Sequence, residues 1–345
     1  MLFHFFKHSE NYPIVQQPGT LPTKEQQAHA QYWFGMFLHF GINTFHNTDW
    51  SDGSLPTDSY RPETIDTDQW VKTALQAGMQ YVILTAKHHD GFCLWDTDTT
   101  EYGIRHSANT TDVVATLAAS CRKYGVKMGL YYSLWDRHEP CYSDDRAYVD
   151  YMERQLKELL DGQYGEVIEL WLDGGWDKRC EDWQLNRLYS LVKTMQPGCQ
   201  FGVNLTIGKY NHKKGNPSKR YLPERQRKND PIRMFPSDFR LWDPYMCAEN
   251  DPKVFTFQGR QYYLPFEHTI CSRQSGKWFY SDAYENGALI DAAETVHKMK
   301  ILKNNQNRMV INLPPDRSGR LILSDQENLF QIAQLANLYQ GGNIV

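Results

Sequence analysis

Residues able to do chemistry recur where short apolar runs stop. The stretch V-I-E-L-W-L-D-G-G-W, Val167 to Trp176, carries six mostly apolar residues into Asp173 and then two glycines. A run this short, closed by glycine, reads as a buried strand of a parallel sheet. That reading places Asp173 at the carboxyl end of the strand, where Gly174 and Gly175 leave room for a ligand near the backbone. A turn or helix-cap role for the same aspartate stands beside it. Gly35 to Ile42, G-M-F-L-H-F-G-I, brings His39 near a first strand end. A second run ends in Lys87, His88, His89, Asp90 and Gly91. A third ends in Tyr131-Tyr132-Ser133, then Trp135-Asp136-Arg137, and the fourth in Trp171 and Asp173. A lone histidine is most simply structural. Three histidines, a tyrosine, a tryptophan and an aspartate at four successive strand ends converge on one mouth, as in barrel active sites.

Two chemistries fit this set. In the first, His39, His88, His89 and Asp173 are ligands of a hydrolytic metal. Against it, His88 and His89 are adjacent and would point to opposite sides of an extended segment, and neither H-x-H nor H-E-x-x-H occurs. In the second, two carboxyl groups hydrolyse a glycoside. One attacks the anomeric carbon and the other protonates the leaving oxygen, about 5–5.5 Å apart in retaining enzymes. Neutral donors such as His and Tyr would then hold sugar hydroxyls, with Trp against an apolar ring face.

The elements that must position these groups form a serial pattern. Helical spacing over Asp66–Ala77, Thr111–Tyr124, Ser143–Leu160 and Glu181–Met195 alternates with strands at Tyr81–Ala86, Val126–Tyr132, the Asp173 run and Phe201–Leu205. Glycine turns at Gly78, Gly125, Gly165 and Gly198 separate them. Thr23–Trp33 is a first short helix, and Asp291–Lys303, Met309–Leu313 and Ser324–Tyr339 continue the pattern as helix, strand and helix. Such units imply right-handed crossovers and a parallel sheet. No G-x-G-x-x-G or G-x-x-x-x-G-K-[ST] follows any strand, so the nucleotide folds lack their signature. The expectation is one (β/α)8 barrel over residues 1–345, with an irregular lead-in at 1–22, an irregular insertion at about 206–265 and no C-terminal β-sandwich.

Composition narrows the class. With 345 residues the chain can bury a large core. A net charge of −4 gives no bulk attraction to nucleic acid. The basic stretch from Lys209 to Lys228 reads as a solvated loop over the rim rather than a nucleic-acid arm, because aromatic interleaving is missing. Seven scattered cysteines without C-x-x-C favour a reducing compartment over a disulfide framework. The amino terminus has too short an apolar run for a secretory signal, and no stretch approaches the roughly 20 apolar residues of a membrane span. The expected location is cytoplasmic for the sequence as it stands, periplasmic or secreted if a signal has been removed.

G-M-F-L-H-F-G, T-A-K-H-H-D-G-F-C-L-W, L-Y-Y-S-L-W-D-R and E-L-W-L-D-G-G together resemble the family 29 glycoside hydrolases, the retaining α-L-fucosidases. N-T-F near Asn43, D-W-S-D-G at Asp49–Gly53 and W-D-R-H-E-P-C-Y at Trp135–Tyr142 resemble the subgroup acting on α-1,3/1,4-linked fucose. The likeness is close over residues 33 to 205 and resumes near Pro265. It implies Asp173 as nucleophile, His39, His88 and His89 on fucose hydroxyls, Tyr131 near the nucleophile, Trp171 lining the pocket, and Trp50 and Trp95 as pocket walls. Asp49 stands where the family usually has Glu in its E-W pair. The G-N-E loop that carries the subgroup's acid is missing. L-P-F-E-H-T-I-C at Leu264–Cys271 instead resembles the other subgroup's W-E-x-C motif, with Phe266 for the tryptophan, which implies Glu267 as acid/base. Glu249 and Glu224 are the alternatives for that role, and a structural carboxylate is the other reading of Glu267. Arg308–Arg320 resembles the last barrel strand and its exit, and Arg273 could touch substrate or form a salt bridge. The activity implied is exo-hydrolysis of terminal α-L-fucose from fucosylated glycans, without metal or organic cofactor and without a nucleic-acid or membrane partner. A fucose-binding protein lacking an efficient acid, or a glycosidase for a related α-L-type sugar, are the rival readings.

Overall fold

Eight strands close into a parallel barrel. They are β1 (Phe34–Leu38), β2 (Tyr81–Lys87), β3 (Lys127–Ser133), β4 (Val167–Asp173), β5 (Gln200–Asn204), β6 (Phe239–Leu241), β9 (Phe266–Cys271) and β10 (Arg308–Asn312). Their order around the barrel is β1-β10-β9-β6-β5-β4-β3-β2. The computed structural model describes residues 12–208 and 231–341. The helices α1 (Lys24–His29), α2 (Thr67–Gln76), α3 (Val113–Tyr124), α4 (Asp145–Leu160), α5 (Leu185–Met195), α6 (Asp282–Glu285), α7 (Ala292–Asn304) and α8 (Leu323–Leu335) lie along the chain before, between and after these strands. Asp66, Asp112, Asp144 and Asp291 start α2, α3, α4 and α7 by accepting hydrogen bonds from first-turn backbone N–H groups.

The expected elements are present, with ends shifted by a few residues. The difference lies in the insertion read as irregular. It contains β6, only three residues long, and an antiparallel hairpin of β7 (Val254–Phe257) and β8 (Arg260–Tyr263). Between β6 and β9 the described residues hold this hairpin and no helix. A three-residue strand has too few positions to show a period, so pattern reading passes over it. Glu224 and the basic stretch 209–228 lie outside the described residues.

The barrel interior is filled in layers. A Cβ on Gly35 would meet the Tyr81 ring at 2.6 Å, and one on Gly202 the Phe239 ring at 2.2 Å, so glycine on one strand admits a large ring from the next. Along β4, Glu169, Trp171 and Asp173 point inward in succession. Phe37, Tyr131 and Trp171 form the middle layer, with Tyr131 stacked on Trp171 at 5.5 Å. Below it, the Arg308 guanidinium donates to Glu169 at 2.7 Å and lies 3.2 Å from Glu267. Tyr81 Oη and Trp171 Nε1 donate to the two Glu267 oxygens at 3.0 and 2.9 Å. His29 of α1 joins Arg308 and Glu169 from beneath.

This corrects the expectation for Glu267. It shares Arg308 with Glu169, two positions down β4 from Trp171, and its side chain has no exposed surface. It is a floor residue under the Trp171 indole, and every polar atom of its carboxyl is engaged within the barrel. Glu249 is exposed, and its carbonyl accepts from Asn305 just past the end of α7, on the floor side. Arg273 pairs with buried Asp325 at 2.7 Å and is the salt-bridge residue of the two readings.

Burial pushes Glu267 up to about 8, with the Glu169 charge adding to it, and pushes Glu169 up to about 7 against the pull of Arg308. Carboxyls raised above their ordinary 4.5 contribute stability that is complete below that value and is lost as pH rises through 7 to 8. Replacing Glu267 by Gln removes one of the two. Wild type is therefore expected to lose at least about 1 kcal/mol relative to Glu267→Gln between about pH 5 and 8, read by urea unfolding.

Candidate active site

Asp173 is the last residue of β4, and Gly174 follows at φ +77°, where a Cβ would meet Trp135 at 2.7 Å. Glycine therefore lets the chain turn away at once and leaves the carboxylate at the mouth. Tyr131 Oη donates to Asp173 Oδ2 and Asn204 Nδ2 to Oδ1, each at 2.9 Å. Burial raises the Asp173 pKa, opposed by the donors Asn204, the Gly174 N–H and Tyr131. Three donors on a nearly buried carboxylate favour its charged form against the burial.

The three histidines line the same mouth. His88 and His89 rings are 4.1 Å apart, His39 and His88 rings 5.9 Å, and His88 stacks on Tyr131 at 5.4 Å. Burial lowers His39 and His89 to about 3 and His88 well below the ordinary value. All three are neutral imidazoles. Their tautomers follow from their partners. Asn312 donates its amide to the Trp278 carbonyl at 2.8 Å, so its oxygen faces His39 Nδ1, also at 2.8 Å, and that nitrogen carries the proton. Ser133 donates its single proton to the Trp135 carbonyl at 2.6 Å, so it accepts from His89 Nδ1 at 2.6 Å. Both rings are left with a bare Nε2, and that of His89 is 3.6 Å from Asp173 Oδ2. Residue types alone suggest that the histidines donate to sugar hydroxyls. For His39 and His89 the network instead makes Nε2 an acceptor.

Other expected residues divide. Trp50 is 49% exposed at the rim, its ring 5.3 Å from His89, 5.8 Å from Trp135 and parallel to Trp176 at 6.0 Å. Asp49 reaches the site indirectly, accepting from the backbone N–H groups of Trp278 and Phe279 at 3.1 and 3.0 Å. These bonds hold Trp278 5.2 Å from His39 and Phe279 4.9 Å from His88. Trp171 is the covered floor of the pocket, tied to Glu267, not an open wall. Trp95 is no pocket wall at all. It is fully buried in the hydrophobic core and donates to Glu158 at 2.8 Å. Among the described residues, no group of three or more His, Cys, Asp or Glu could hold a metal ion, and no helix is long and apolar enough to cross a membrane.

Sequence reading missed Asn204, Asn312, Trp278, Phe279 and Asp243. Asn204 ends β5 and Asp243 follows two residues after β6, so both carry the signal that singled out Asp173, a polar residue where an apolar run stops. Asn204 donates to Asp243 as well as to Asp173. Burial and the Asp173 charge push Asp243 up to about 7.

Comparison with known proteins gives a consistent result. The family model described as "Alpha-L-fucosidase" matches residues 50–340. Alpha-L-fucosidase 1 of Arabidopsis thaliana is 40% identical over 182 residues, 51% of this chain and 36% of that protein. The plasma alpha-L-fucosidase of Homo sapiens is 26% identical over 178 residues, 41% of this chain and 38% of that protein. A glycoside hydrolase 29 family member from a rumen bacterium superposes with a TM-score of 0.76 at 25% identity, covering 93% of this chain and 58% of that one. The matched stretch is thus little more than a third of each of these two curated relatives.

The histidine assignments have a direct readout. In protein labelled with 15N-histidine, His39 and His89 are expected as neutral Nδ1–H tautomers that do not titrate between about pH 5 and 8, since lowered pKa values keep them uncharged throughout that range. A histidine titrating near its ordinary value and assigned to either position by His39→Gln or His89→Gln would contradict the buried network.

Proposed function

The chain belongs to the α-L-fucosidase family, and on that footing we propose that it is an exo-acting retaining α-L-fucosidase working through a covalent glycosyl-enzyme intermediate. The observation that carries this reading is the Asp173 carboxylate at the barrel mouth, held by Tyr131 and Asn204 and ringed by three neutral histidines. A carboxylate kept charged and aimed out of a strand end can attack an anomeric carbon. Acceptor nitrogens on His39 and His89 suit a sugar that offers several hydroxyl protons in fixed directions. Phe279 and Trp278 supply apolar surface against those rings, suitable for the methyl group that distinguishes a 6-deoxy sugar. Metal or organic cofactors have no part in this scheme, and the substrate is a fucosylated oligosaccharide or glycoconjugate. In the subgroup reading, the linkage cleaved is α-1,3 or α-1,4.

Beyond the fucose pocket, Trp50 and Trp176 lie nearly parallel, 20° apart in plane, beside His89. Their flat faces suit the sugar next to fucose. Trp50→Ala is expected to raise KM for a fucosylated oligosaccharide about fivefold to tenfold. KM for an aryl fucoside, which lacks that second sugar, is expected to change less than twofold.

The deciding experiment is release of fucose from α-1,2-, α-1,3- and α-1,4-fucosylated oligosaccharides and from an aryl fucoside. Asp173→Ala is expected to lose at least about 10⁴-fold in kcat on each active substrate. Near-normal turnover by that variant would remove Asp173 as the nucleophile.

A further inference from the structure

A retaining mechanism needs two carboxyl groups, and with Glu267 on the floor the second has to come from another element. We infer that Asp243, on the short connection after β6, is the proton-transferring partner of Asp173. This rests on the proposed fucosidase reading and completes it.

The geometry begins with one amide. Asn204 Nδ2 donates to Asp173 Oδ1 at 2.9 Å and to Asp243 Oδ1. Two oxygens bonded to one nitrogen are at most two hydrogen-bond lengths apart, roughly 5–6 Å. Retaining glycosidases place their carboxyls about 5–5.5 Å apart. Asn204 therefore holds the two carboxyls together, within the separation that a retaining pair requires. Asp243 follows the end of β6 on the mouth side and is partly exposed. Among the described residues, three other carboxyls near the mouth are engaged elsewhere. Asp49 accepts from the Trp278 and Phe279 N–H groups, Asp90 from Asn43 and the Phe92 N–H, and Asp136 from buried Lys87.

Electrostatics agree with the geometry. Among the described residues, the groups facing Asp243 are Asp173 on β4, Tyr131 on β3, Cys271 on β9 and Asn204 on β5. None of these is a cation. Burial and the Asp173 charge hold Asp243 up near 7, so at neutral pH it carries a proton for much of the time. In the first step an Asp173 oxygen bonds to C1 of fucose while the C1–O bond to the leaving group breaks, and the Asp243 proton passes to that oxygen. In the second step water gives a proton back to Asp243 as its oxygen bonds to C1, and the ester bond to Asp173 breaks.

The test compares Asp243→Asn and Asp243→Ala with Asp173→Ala, using a trisaccharide with a poor leaving group, 2-chloro-4-nitrophenyl α-L-fucoside and sodium azide. Asp243→Asn keeps a carbonyl oxygen for the Asn204 amide and so controls for folding, which circular dichroism checks in all variants. Both Asp243 variants are expected to lose about 10²–10⁴-fold in kcat/KM on the trisaccharide and far less on the activated aryl fucoside. Wild type is expected to lose activity above about pH 7, and with the aryl fucoside that fall should be absent in both variants. Azide should accelerate Asp243→Ala and yield the α-fucosyl azide, because it attacks the inverted intermediate. With Asp173→Ala it should yield the β-fucosyl azide by attacking the substrate itself. Wild-type trisaccharide rates in Asp243→Asn and Asp243→Ala, with Asp173→Ala inactive, would overturn the role of Asp243 and leave the fucosidase reading standing. An Asp243→Ala variant that does not respond to azide would overturn that role equally. A wild-type protein inert toward every fucoside would overturn both.

Discussion

A carboxylate taken out of water must be given back the hydrogen bonds it lost, or it takes up a proton and stops being a nucleophile. The mouth of this barrel is built around that demand at Asp173. Tyr131 reaches it from the adjacent strand, Asn204 from the strand on the other side, and the N–H of Gly174 from the turn that follows. Each donor depends on a different part of the sheet, so the charge is supported only when β3, β4 and β5 are in register. Tyr131 in turn is fixed by stacking on Trp171, whose indole N–H is held by Glu267. The site is therefore continuous with the barrel floor through one column of side chains.

The floor answers the same physical problem differently. Glu169 and Glu267 are fully buried, and there a cation is supplied. Arg308 lies between them, with Tyr81 and Trp171 donating from the sides. The Arg308 guanidinium donates to Glu169 and lies 3.2 Å from Glu267, a rigid planar fork set between two carboxyls. Such a buried network exposes no group to a ligand. Around Asp173 the donors are neutral, so the field there is left unneutralised and available to a positive centre developing in a bound sugar.

Much of this is readable from the chain. The alternation of capped helices and apolar runs points to the barrel, and polar residues at strand ends point to Asp173, Tyr131 and the histidines. The failures have physical causes. Trp95 lies past the end of β2, and nothing in its neighbours tells whether the chain turns its ring inward to the core or outward to the mouth. Glu267 fails for a deeper reason. In a barrel both strand faces are covered, so an ionisable residue among apolar ones announces burial without announcing depth. Strand tilt and stagger set that depth, and they belong to the closed sheet rather than to any one segment. Asn204 and Asp243 carry the right signal but stand at the ends of strands too short, or too near an irregular stretch, to be weighed.

The two mouth carboxyls share a donor yet have unlike surroundings. Asp173 has donors on both oxygens, while Asp243 has the Asn204 amide, its own backbone N–H and a neighbouring negative charge. Of the forces raising Asp243, the Asp173 charge is the one that chemistry can switch. When Asp173 becomes an ester its charge is gone, and Asp243 is then a stronger acid than before. A group that held a proton for the leaving oxygen would thus be left ionised when water must be activated. On this argument the shared Asn204 amide does more than set a distance. It keeps the two carboxyls close enough for the charge on one to set the protonation of the other at each half of the reaction.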